Sequence, residues 1–291
     1  MAEKHNKAEL VNQLMKPFNS EKLGQIEGLD QNEILELKEG LQRCKILADF
    51  ALPRGLKLLV DAEYTYMNDG ISIVALAMMK HYNITEAKIG NTYQCYLKNT
   101  LNTIKQEYDI VTENSSAKFG AKIVRGAYME KERKLARIEN YPDPVNDTYE
   151  DTGKMYQNVI SYLLERNDGY IVIATHNEDA VKKIAQKLRT QEFQGKFVFA
   201  QIYGMGEQIT MPLGNSTLFL MNTILICILQ LQLTMDLPFT NLCHTDHLKK
   251  CYPICRVGLR KIAQFCLVRA KNGIYLRLNC AEEFWINSNI F

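Results

Sequence analysis

The sequence predicts an α/β protein built on a parallel sheet, in the arrangement of a β/α barrel. Three observations predict it. From Gly55 onward short apolar runs alternate with longer helical patterns. The apolar runs are too continuous to face water on one side, so they belong to a sheet covered by helices. None is followed by a glycine-rich phosphate fingerprint, which favours a barrel over a dinucleotide fold.

The elements follow in chain order. Residues 1 to about 50 are polar and helical in pattern; in EILELKEGLQRCKILADFAL, Ile34, Leu35, Leu37, Leu41, Ile46, Leu47 and Phe50 recur near the helical period. The strand candidates are LKLLVDAE (56–63), AKIGNTYQCY (87–96), KFGAKIVRGAY (118–128), YIVIATHN (170–177) and KFVFAQIYG (196–204). Between them ISIVALAMMKHY, LKNTLNTIKQEYDIV, DTYEDTGKMYQNVISYLLERN and EDAVKKIAQKLRT are each long enough for several helical turns. The chain divides into a helical segment (1–54), a barrel portion (55–215) and a tail (216–291).

Composition narrows the function classes. The 291 residues carry 35 Lys+Arg against 33 Asp+Glu, with 46% hydrophobic and 23% charged residues. That is an ordinary globular composition with no charge imbalance to suggest a nucleic-acid partner. MAEKHNKAEL lacks the apolar core of a secretory signal, so the first part reads as intracellular and reduced. Six of the eight cysteines, Cys227, Cys243, Cys251, Cys255, Cys266 and Cys280, crowd the last 65 residues. Cys243, His244, Cys251 and Cys255 could ligate zinc, but no second paired motif follows, and no metal is expected. The apolar run 217–233 is short for a bilayer span and interrupted by Asn222, Gln230 and Gln232.

In a barrel the chemistry gathers where the strands end. Those ends carry Asp61 and Glu63, then Gln94, then Lys122 to Tyr128, then Thr175, His176 and Asn177, then Gln201 to Gly204, which together describe one polar mouth. Plainer readings compete residue by residue. Asp61 could cap the next helix, and His176 with Asn177 could simply start one. Arg125, Lys131, Arg133 and Lys134 read as a solvated helix face, Tyr93 and Tyr96 as core, Met78 and Met79 as helix packing.

Six segments in order carry a resemblance: LVDAEYTY (59–66), NTYQCYLK (91–98), KIVRGAYMEKER (122–133), DPVNDTYEDT (143–152), ATHNED (174–179) and FAQIYGMGEQITMPLG (199–214). Across roughly residues 20 to 215 the chain resembles the proline dehydrogenase family. The resemblance implies an incomplete FAD-binding (β/α)8 barrel that oxidises L-proline to 1-pyrroline-5-carboxylate, the first step of proline degradation. Electrons pass from FAD to a quinone, in a mitochondrial setting at or near the inner membrane. By resemblance, Asp61 lies beside the substrate and Lys122 places a cation near the reactive side of the flavin. Thr92 and Gln94 meet the ring edge, and Val124, Gly126 and Tyr128 line the ring. Thr175, His176 and Asn177 hold the ribityl–diphosphate stretch, with Gln201 and Ile202 at the adenine end.

The resemblance stops near Gly214. The family continues into a strand like VYKYVPYGP and a helix like EEVLPYLSRRAxEN, whose two arginines grip the proline carboxylate. Neither is present as written, yet both emerge when the codons from Pro238 to Ala263 are read one frame away. Residues from about 216 therefore read as out of frame, through an unspliced intron or an insertion. No segment before Asp61 resembles the family's first strand and its lysine, so the chain reads as starting after that strand. The chain as printed is accordingly expected to be impaired, and the alternative is a non-catalytic flavin-binding remnant or a product that does not fold.

Overall fold

The computed structural model describes residues 2–201 and 207–214. Helix α1 (Ala2–Met15) and a 3-10 turn (Lys16–Asn19) precede α2 (Gln31–Ala51) and a second 3-10 turn (Leu52–Arg54). Then come β1 (Leu58–Val60), α3 (Thr65–Tyr82), β2 (Ile89–Gln94), α4 (Thr100–Thr112) and β3 (Gly120–Val124). They are followed by α5 (Met129–Glu139), α6 (Tyr149–Glu165), β4 (Tyr170–Ala174), α7 (Glu178–Thr190), β5 (Lys196–Ala200) and α8 (Glu207–Gly214).

Local chemistry sets the helix starts. Asp30 opens α2 with a reciprocal capping box: its carboxylate accepts from the Asn32 and Glu33 amides at 2.8 and 2.9 Å, and Glu33 accepts from the Asp30 amide. Thr148 accepts from the Asp151 amide to cap α6, and Asn177 accepts from the Ala180 amide to cap α7. The plainer reading of Asn177 as a helix start thus holds, and does not prevent its amide nitrogen from serving a second purpose.

The five strands of the described residues pair in chain order, β1-β2-β3-β4-β5, all parallel. A doubly wound sheet reverses its order at a switch point; an unreversed order with helical crossovers is the wall of a barrel. Alternation along the strands gives two faces. Val60, Ile89, Tyr93, Ile123, Ile171, Ile173, Phe197 and Phe199 pack outward into the main core under the helices. Leu59, Tyr170, Val172, Val198 and Ala200 form the smaller apolar layer of the inner face. Gly120 has a steric reason: a Cβ there would overlap the Ile89 carbonyl oxygen.

Polar groups also bind the outer layer together. The buried Glu107 carboxylate accepts from Tyr93 Oη at 2.6 Å and from Lys7 Nζ at 2.7 Å, tying α1 to α4 and β2. At the opposite end of the strands the fully buried Asn83 accepts from the Lys88 and Ile89 amides and donates to the Ile89 and Lys118 carbonyls, all between 2.8 and 3.0 Å. It thereby fastens the end of α3 to the starts of β2 and β3. Asn83→Ala strands these backbone groups away from water and should cost on the order of 3 kcal/mol, read as a lowered urea midpoint.

Several expected boundaries move. Strand β3 ends at Val124, so residues 125–128 form a loop rather than the last part of a strand. Helix α5 carries Lys131, Arg133 and Lys134, as their reading on a helix requires, whereas α8, which contains Pro212, has no counterpart among the expected helices. Tyr93, Tyr96, Met78 and Met79 are buried, as their core readings require. The zinc reading, the apolar run 217–233 and the out-of-frame tail lie outside the described residues. Among the described residues no helix is long and apolar enough to cross a membrane.

Candidate active site

Strand register builds the site. Thr92 pairs with Lys122, Lys122 with Val172 and Val172 with Val198, while Val60 pairs with Asn91. Asp61, one residue after Val60, therefore stands beside Thr92, and Asp61, Thr92 and Lys122 share one level of the inner face. The side chains meet: Lys122 Nζ lies 2.5 Å from Asp61 Oδ1, and Thr92 Oγ1 donates to the same oxygen at 3.3 Å. All three are buried. Asp61 is consequently not a helix cap; its carboxylate balances a buried ammonium.

Above this pair Gln94 is held on both sides of its amide. Its oxygen accepts from Asn68 Nδ2 at 2.9 Å and its nitrogen donates to the Glu63 carbonyl at 2.9 Å, while Asn68 Oδ1 accepts from the Glu63 amide. Asn68 carries no motif signal, since the contact joins the first turn of α3 to the end of β2. Val124 is half-buried at the end of β3, and Tyr128 lies over Tyr64 with ring centroids 4.8 Å apart.

A second group surrounds a cavity of about 510 Å³ beyond the ends of β3 and β4, lined by Arg125, Gly126, Tyr149, Thr175, His176 and Asn177 among others. Thr175 is buried, and its hydroxyl accepts from the Asn177 amide. Gln201 donates to the Thr175 carbonyl at 3.3 Å. Among the described residues a Cβ on Gly126 would meet only the Met129 side chain, at 3.2 Å, so no backbone contact there demands glycine. Ile202 lies outside the described residues. The expected residues thus fall into an inner-face set and a cavity set at the same end of the sheet.

The basic cluster is not one solvated face. Arg125 leaves the loop after β3 to lie 4.0 Å over the Tyr149 ring, and Arg133 donates to the Asn146 carbonyl at 2.6 Å. Glu132 was also missed. It is fully buried and accepts from both the amide and hydroxyl of Thr65 at 2.8 Å, holding the first turn of α3 from α5. Burial pushes the Glu132 carboxyl above its ordinary range, against the two Thr65 hydrogen bonds, with Asp143 adding to the rise. The folded chain thus binds this proton more tightly than the unfolded one. Its contribution is full below the ordinary value of about 4.3 and is lost as pH rises through the raised one. Glu132→Gln should flatten that decline in urea midpoints measured across weakly acidic pH.

The arrangement defines a class: a β/α-barrel protein whose inner face carries a buried cation–carboxylate pair where the strands end. A crystal structure of proline utilization A (PutA) from Bdellovibrio bacteriovorus, inactivated by N-propargylglycine, shares this fold. The match has a TM-score of 0.50 and 19% identity over 72% of this chain and 24% of that one. The family model for proline dehydrogenase matches residues 1–228, and the chain belongs to that family. The match starts earlier and ends later than the span of residues 20 to 215 expected from the motifs.

Among curated relatives, the mitochondrial proline dehydrogenase 1 of Caenorhabditis elegans is 36% identical over 67% of this chain, and that of Homo sapiens 37% over 66%. The hydroxyproline dehydrogenase of Xenopus laevis is 36% identical over 65% of this chain and 42% of its own length. The chain spans about a third of the length of the two proline dehydrogenases, 34% in each case.

Proposed function

We propose that this chain is the flavin-binding part of an FAD-dependent proline dehydrogenase, oxidising L-proline to 1-pyrroline-5-carboxylate. The observation that carries the reading is the buried Lys122–Asp61 pair on the inner face, at the level of Thr92. A cation kept out of water at such a place is worth most where negative charge develops during reaction.

The residues present fit the cofactor. The inner-face set offers a cation and an oriented amide to a ring system. The cavity set offers two guanidinium groups, the capped starts of α6 and α7, and room for an anionic chain. FAD, when bound, supplies the hydride acceptor; the protein supplies orientation and charge. Lys122 holds positive charge at the ring, and Asp61 fixes that ammonium and borders the substrate. Thr92 and Gln94 meet the ring edge, Val124, Gly126 and Tyr128 line it, and Thr175, His176 and Asn177 take the ribityl–diphosphate stretch. Gln201 with Ile202 borders the adenine end.

On the same reading, electrons leave to a quinone, and the setting is mitochondrial, near the inner membrane, as the names of the relatives suggest. The proposal keeps the division into a helical segment (1–54), a barrel portion (55–215) and an out-of-frame tail (216–291). FAD titrated into the purified chain tests the reading. The expected result is a saturable change in the flavin's visible spectrum; a spectrum that stays that of free FAD would contradict it.

A further inference from the structure

The segment DPVNDTYEDT forms one wall of the cavity. Asn146 anchors it: this buried side chain donates to the Cys95 carbonyl at 2.9 Å, and its amide donates to the Tyr96 carbonyl at 2.8 Å. Thr148 then caps α6, and Tyr149, the first helical residue, is left 64% exposed at the cavity rim. An exposed tyrosine is ordinarily free to rotate, but this one is held from two directions. The Arg125 guanidinium lies 4.0 Å over its ring, and Asn177 Nδ2 donates to its hydroxyl at 2.9 Å.

Hydrogen-bond valence carries the argument further. The Tyr149 hydroxyl accepts from Asn177, so its own proton remains available to another acceptor. The Asn177 oxygen is engaged by the Ala180 amide, which fixes the amide orientation and leaves one further Nδ2 proton. Arg125 has no carboxylate partner among the described residues. Among those residues its Nε is buried without an acceptor, and a 3.5 Å contact to the Tyr149 carbonyl is its one hydrogen bond. Two directed donors and an uncompensated cation thus meet at the cavity rim, a donor set suited to an oxyanion.

We propose that Tyr149 is a cofactor-positioning residue: its hydroxyl donates to a phosphate oxygen of the dinucleotide held by Thr175, His176 and Asn177, with Arg125 behind the ring supplying the charge. The inference rests on the flavin reading above and adds a residue to it. A hydrogen bond to a charged acceptor is worth more than one between neutral groups. Its removal in Tyr149→Phe, which keeps the ring over Arg125, should weaken FAD binding about 10-fold.

The test measures FAD affinity by quenching of flavin fluorescence, in the full chain and in Tyr149→Phe. The melting temperature of each is recorded without FAD. Weaker FAD binding with an unchanged melting temperature supports the proposal. Equal affinity in the two proteins overturns it and leaves the flavin reading standing. A melting temperature lowered along with affinity marks Tyr149 as a structural brace between the two loops, and also overturns it. No FAD binding by the unsubstituted chain overturns the flavin reading, and this inference with it.

Discussion

Lys122→Met is expected to destabilise the fold by about 3–5 kcal/mol, because it leaves the Asp61 carboxylate buried without its ammonium. Among the described residues the Thr92 hydroxyl at 3.3 Å is the one other donor to that carboxylate, and a neutral donor does not balance a charge. Asp61→Leu combined with Lys122→Met should recover much of the loss, since removing both charges relieves the desolvation cost that either one alone would bear. Urea denaturation of the two single variants and the double variant gives the coupling directly. Singles that simply add would mean that the pair is not a unit. In a catalytically competent protein the same Met variant should hold FAD but reduce it about 100-fold more slowly. The cation acts on charge that develops at the ring rather than on charge already there.

The second large effect concerns the tail. Gripping the proline carboxylate orients the ring carbon toward the flavin, and such positioning can contribute roughly 7 kcal/mol or more. In the printed sequence Arg256 and Arg260 stand near the expected place, but YPICRVGLRKIAQ gives them neither adjacency nor the family's YLxRRAxEN motif. Returning the residues after 215 to the inferred frame restores an adjacent arginine pair. Proline-dependent dye reduction is therefore expected at a useful rate only from a frame-restored chain that also carries the family's first strand with its lysine, with trans-4-hydroxy-L-proline as the comparison substrate. Equal turnover from the printed chain would refute the assignment of the tail.

What was legible in the sequence was whatever repeats along it. The apolar runs marked all five strands, and the polar residues at their ends pointed to one mouth. There Asp61, Thr92 and Lys122 do meet. Contacts between distant segments left no such trace. Glu132 reaches Thr65 across 67 positions, and nothing in KIVRGAYMEKER distinguishes that buried glutamate from its exposed neighbour Glu130. Asn68 and Asn83 look like ordinary turn or helix residues, and only the fold shows that one orients Gln94 and the other fastens two strands. Arg125 belongs neither to the strand candidate 118–128 nor to a helix face; β3 ends at Val124, and the loop that follows directs the guanidinium onto Tyr149. Asn177 satisfies its helix-start reading and still has donors to spare, because a carboxamide has an acceptor for the helix amide and two amide protons besides.

The central claim is that this mouth passes a hydride from proline to a flavin held against Lys122. Anaerobic mixing of the FAD-loaded, frame-restored chain carrying the family's first strand with L-proline, followed by visible absorbance, tests it most directly. The account predicts bleaching of the oxidised flavin at a rate that saturates with proline and falls sharply in Lys122→Met while FAD stays bound. Bound flavin that remains oxidised in saturating proline, or that bleaches equally fast without Lys122, would contradict it.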